Sequence, residues 1–92
     1  MIRSFRHKGL EAFFRTGSKA GIQANHAAKL RLQLAARDAA TRPGDLAAPG
    51  WRLHPLTGAM AGLYSISVSG NWRVIFRFVE RDAQLVDYLD YH

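Results

Sequence analysis

Gly62 to Val79, GLYSISVSGNWRVIFRFV, reads as two alternating strands joined at Ser69-Gly70-Asn71, a segment able to supply the positive φ angles of a tight hairpin. In the second strand Trp72, Val74, Phe76 and Phe78 share one side, and Arg73, Ile75 and Arg77 share the other. A strand that buries aromatics on one face holds guanidinium groups rigidly on the opposite face. That rigidity favours anion recognition and transition-state stabilisation. The plainer alternative is that Arg73 and Arg77 form the solvated face of a half-exposed sheet.

Ninety-two residues suffice for one domain with a modest core, taken as 1–92. An apolar share of 48% is too high for disorder, and no window approaches the roughly 20 apolar residues of a membrane span. The start, MIRSFRHKGLEAFF, has basic residues but no apolar h-region, so no signal peptide is expected. The absence of cysteine excludes a disulfide framework and a thiolate metal site and fits a cytoplasmic chain. A net charge of +6 points to a polyanionic partner, with nucleic acid the leading class. Arginine dominates the basic set, and its planar fork suits bidentate phosphate contact and base stacking.

Working outward from the hairpin, the N-terminal residues 1–6 alternate as a short strand would. His7 to Arg15 carries Leu10, Phe13 and Phe14 at helical spacing, with Gly17 placed to cap its end. Gln23 to Ala40 is the longest helical segment, with Ala24, Ala27, Leu30 and Leu34 as its stripe and Asn25 as its cap. Lys29, Arg31 and Arg37 are assigned to its outer surface. Thr41 to Gly50 is a loop punctuated by Pro43-Gly44 and Pro49-Gly50. Trp51 to Leu56 is a short strand stopped by Pro55, and a final strand spans about Gln84 to Leu89. This order predicts an α+β fold: an N-terminal strand and two helices packed on one face of a mainly antiparallel sheet, the other face left open.

Of the four histidines, His7 and His26 lie on helical segments and are assigned no role, whereas His54 and His92 can approach the Arg73 face. Cleaving RNA needs a base for the ribose 2′-OH, an acid for the leaving 5′-oxygen and a cation for the phosphorane. Histidine suits both proton roles and arginine the third. A 2′-OH nucleophile also explains cutting RNA while sparing DNA. No metal or other cofactor is called for, and no His/carboxylate spacing argues for one.

The chain resembles the HigB toxins of the RelE superfamily, from bacterial type II toxin–antitoxin systems. The resemblance is carried by SFRHKGLEAFFRTGSKAGIQ at 4–23, GWRLHPLTG at 50–58, SISVSGNWRVIFRF at 65–78 and the terminal VDYLDYH at 86–92. It implies a RelE-like fold and a ribosome-dependent mRNA endonuclease, an mRNA interferase that inhibits translation. It also implies a catalytic group of His54, Arg73, Asp90, Tyr91 and His92. In that group His54 and His92 are the acid–base pair in either order, and Asp90 orients or charge-stabilises an imidazole. Tyr91 stacks on a base or bonds the phosphate, and Arg73 stabilises the transition state. Arg52 and Arg77 are further candidates for RNA-backbone contact. The implied partners are the ribosome, mRNA and a HigA-like helix-turn-helix antitoxin, through which any DNA contact is indirect.

An α-carboxylate on His92 would favour its imidazolium, so the chain end is expected to belong to the site. Two alternatives from another class stay open: a basic RNA- or ribosome-binding module that does not cut, and a decayed toxin kept only as an antitoxin ligand. The intact His54 and Asp90-Tyr91-His92 argue against decay.

Overall fold

The computed structural model describes residues 2–80 and 82–90. Helix α1 spans Lys8–Thr16 and α2 spans Ala27–Ala39. Four strands follow: β1 His54–Pro55, β2 Tyr64–Ser69, β3 Trp72–Val79 and β4 Asp82–Asp90. The sheet order is β1-β2-β3-β4, every neighbour antiparallel. The two helices and this sheet form the expected α+β arrangement.

The hairpin decides the register. Ser69 pairs with Trp72, which leaves Gly70-Asn71 as a two-residue turn, and Gly70 takes the positive φ of 55° that the turn requires. Ile66, Val68, Val74 and Phe76 point into the core, where each apolar side chain contributes about 1.5–3 kcal/mol on full burial. The opposite face is only partly open. Ile75 is buried on that side, in a small cleft with Met60, Leu63 and Leu85, so a turn of chain before β2 covers what the alternation alone left bare.

In β4 an extra residue corrects the phase. Ile75 pairs with Asp87 but Arg77 with Gln84, so two residues of β4 oppose one of β3. Leu85 adopts φ 54° at this bulge, and its N–H donates to Ser4 Oγ at 2.9 Å. The insertion brings Val86 and Tyr88 onto the same core face as Ala83. Residues 2–6 lie along β4 through two parallel bridges, Ile2 with Ala83 and Phe5 with Val86, and not as a continuous strand.

Each helix is bounded by particular side chains. The His7 imidazole Nδ1 accepts from the Leu10 N–H at 2.9 Å and caps α1. Gly17, at φ 80°, closes α1 by donating to the Phe13 carbonyl at 2.9 Å. A single 3-10 turn, Ala24–His26, leads into α2, and no Asn25 side chain caps it. His26 is buried, its Nδ1 2.6 Å from the Tyr88 hydroxyl, and burial lowers its pKa. The proline-rich connection expected to be irregular contains a 3-10 turn, Pro43–Leu46, whose Leu46 is fully buried.

Arg37 corrects the expectation that it lies on the outer surface of α2. Leu30, Gln33, Leu34 and Arg37 share the inward face, at the i, i+3, i+4, i+7 spacing of one helix side. The Arg37 guanidinium is 0% exposed and stands 4.3 Å from the centre of the Phe76 ring. None of its three nitrogens has a hydrogen-bond partner among the described residues, and burial holds its pKa down to about 9.

Candidate active site

The regular strand β1 is much shorter than Trp51 to Leu56. Trp51 is buried, and its carbonyl accepts from the Ser67 N–H at 2.7 Å, fixing the approach segment to the middle of β2. Gly50 at φ 83° and Arg52 at φ 52° bend the chain around that anchor. A left-handed conformation at a non-glycine residue carries a cost, and such residues cluster where side chains are held for a task. Arg52 is exposed immediately beyond the buried Trp51. Only His54 and Pro55 then pair with β2, and Pro55 lies within this edge strand, where a missing N–H is tolerated.

The register places His54 beside Ser65 and Arg73 beside Ser67. Cross-strand partners share a face, so these four side chains stand on the outer face of the sheet. They line an open cleft of about 280 Å³ together with Arg52 and Leu53. A smaller adjoining cleft of about 200 Å³ is lined by His54, Leu56, Ser65 and Arg73. Among the described residues no acidic side chain lines either.

The Arg73 guanidinium folds back on its own hairpin. Its Nη1 donates to the Gly70 carbonyl at 2.7 Å and to the Trp72 carbonyl at 3.1 Å. These bonds fix the plane of the group and leave the Nε–Nη2 edge without a partner among the described residues. That edge is the one suited to two parallel hydrogen bonds with a phosphate. The His54 imidazole is exposed and makes no hydrogen bond among the described residues, so both ring nitrogens can meet a ligand. Gln33 supports the cleft floor from the core, its Nε2 donating to the Ser67 carbonyl at 2.6 Å.

The remaining candidates separate. Asp90 is the last residue of β4 and pairs with Trp72, at the same sheet end as the turn onto which Arg73 folds. Strand alternation sets it on the Trp72 side, opposite Arg73, and it does not line the His54 cleft. Tyr91 and His92 lie outside the described residues. Arg77 is exposed further along β3, where its Nη2 donates to Gln84 Oε1 at 3.3 Å, and it does not line the cleft. The structure thus brings together His54, Arg73 and Arg52.

Ser65 and Ser67 were missed as lining residues of the cleft, although the alternation in SISVS was the available signal: Ile66 and Val68 go inward, so the flanking serines face the cleft. Among the described residues no three His, Asp or Glu side chains gather as a metal-binding group. No helix among them is long and apolar enough to cross a membrane.

A family model described as the RelE-like toxin HigB of type II toxin–antitoxin systems matches residues 3–92. The chain belongs to the HigB-like toxin family. It is 42% identical to the Endoribonuclease HigB of Proteus vulgaris over 92 residues, the full length of both chains. Membership in a type II system implies an antitoxin partner for this toxin.

Proposed function

We propose that the chain is an endoribonuclease toxin that cuts mRNA on the ribosome and so stops translation. Similarity over the whole length to an endoribonuclease of the same family supports RNA cleavage. The observation that carries the mechanistic reading is the cleft joining the imidazole of His54 to the fixed guanidinium of Arg73, with Arg52 at its margin.

One histidine removes the proton from a ribose 2′-OH. The 2′-oxygen then bonds to phosphorus as the bond to the 5′-oxygen breaks, and the second histidine gives its proton to that leaving oxygen. The products are a 2′,3′-cyclic phosphate and a 5′-hydroxyl. His54 and His92 are the acid–base pair, and Arg73 meets the charge that builds on the phosphorane oxygens. Asp90 orients an imidazole, Tyr91 stacks on a base or bonds the phosphate, and Arg52 holds the backbone. Arg77, away from the cleft, contributes charge alone. A sparse set of groups on an open surface suits a site that uses the ribosome to hold and orient the RNA. The antitoxin is a HigA-like protein with a helix-turn-helix domain, and the toxin acts in the cytoplasm.

Initial rates of mRNA cleavage on programmed ribosomes test the assignment. His54→Ala and His92→Ala are each expected to slow cutting about 10²–10⁴-fold, and Arg73→Ala about 10²–10³-fold. Arg77→Ala is expected to stay within about threefold, as a contact through charge alone would. A His54→Ala protein that cuts at the parental rate would overturn the reading, and binding to ribosomes without cleavage by the parent would make this a binding module instead.

A further inference from the structure

The His54 cleft does not end at Arg52. A second cleft of about 280 Å³ adjoins it and shares two of its walls, Arg52 and Ser67. From there it runs along Gly50 and the hairpin residues Ser69 and Gly70 to Lys29, in the first turn of α2. The two clefts form one trough, crossing from the sheet edge at β1 to the start of the long helix.

Charge along this trough is one-sided. Three basic residues elsewhere are matched by carboxylates: Arg3 with Asp82, Arg15 with Glu11 and Arg42 with Asp45. Lys29, Arg52 and Arg73 have no carboxylate partner among the described residues, and no acidic side chain lines the trough. Gly50 and Gly70 leave its walls bare, with open space where a Cβ would stand, so a ligand can approach the backbone closely. Successive unmatched cations along a polar channel follow a chain of negative charges better than they fit a single anion.

We propose that Lys29, with Arg52 and the Gly50 and Gly70 walls, forms a second phosphate subsite that holds the mRNA backbone beside the cut. This rests on the reading of the His54 cleft as the cleavage site. Lysine is suited to the role because a backbone contact carries no sequence information and needs only a compact charge.

The test measures cleavage of ribosome-bound mRNA against protein concentration for the parent, Lys29→Ala and Lys29→Arg. Lys29→Ala is expected to raise the half-saturating concentration about threefold to tenfold and to lower the salt slope by about one, with Lys29→Arg close to the parent. Phosphates flanking the cut are then replaced one at a time by uncharged methylphosphonates. On the mRNA already lacking the phosphate that Lys29 meets, the Lys29→Ala penalty should vanish. A Lys29→Ala protein indistinguishable from the parent overturns the proposal. A penalty that no mRNA substitution removes also overturns it, assigning Lys29 to ribosomal RNA. Equilibrium binding to the same programmed ribosomes reads the comparison without cleavage. A parent that fails to cut would therefore overturn the cleavage reading while the Lys29 subsite is still judged on its own.

Discussion

A guanidinium held against a phenyl ring, with none of its nitrogens bonded among the described residues, is an expensive way to fill a core. Arg37 gains attraction from the face of Phe76, worth about 2 kcal/mol when desolvated, but an unpaired buried cation costs more than that. Burial holds its folded-state pKa down to about 9, well below the ordinary guanidinium range. The group therefore costs stability in full at every pH below about 9, and the cost fades as pH rises above that value toward the ordinary guanidinium range. Arg37→Met keeps the length and removes the charge, and it is expected to raise the free energy of unfolding by about 1–4 kcal/mol. Urea denaturation at neutral pH measures this, and a lowered midpoint would show that the ring contact outweighs the desolvation. The helical phase of Arg37 was legible in the sequence, since Leu30, Leu34 and Arg37 share one side. Residue type argued for the surface, and spacing prevailed.

At the scale of elements, the approach of α1 to the connection before α2 depends on two glycines. A Cβ on Gly9 would stand 2.5 Å from the Gly21 carbonyl oxygen, and one on Gly21 would stand 2.5 Å from the Gly9 Cα. In an unhindered helix glycine to alanine gains up to about 1 kcal/mol. Here both partners are backbone and neither can yield, so Gly9→Ala and Gly21→Ala are each expected to lose about 1–3 kcal/mol. Chemical denaturation decides it, and a more stable Gly9→Ala protein would contradict the packing.

The approach of these two glycines was not legible in the sequence, because a contact between segments leaves no local pattern. The hairpin, both helices and the Gly17 cap were legible because each is set by neighbours in sequence. The β4 bulge and the shortness of β1 were not, since they are imposed by the Ser4 contact and the anchor at Trp51.

Across the whole molecule, function follows from where the sheet leaves its basic groups. His54 and Arg73 were both singled out as candidates from the sequence, and they share a cleft. Arg77 has the same alternation as Arg73 yet stands apart, because strand phase fixes a face without fixing a position along it. Ser65 and Ser67 were not singled out and Lys29 was assigned only to the solvated face of its helix, since their meeting depends on three segments coming together. The trough so formed offers cations and an imidazole but little to enclose a substrate, which is why the ribosome is assigned the task of positioning it.

The most direct measurement maps 5′ ends by primer extension on one mRNA, free and on programmed ribosomes, with the purified protein added to both. Discrete cuts on the ribosome, with the free mRNA intact over the same interval, are the expected result. Equal cutting of the free mRNA would contradict dependence on the ribosome, and the absence of cuts in both would contradict cleavage itself.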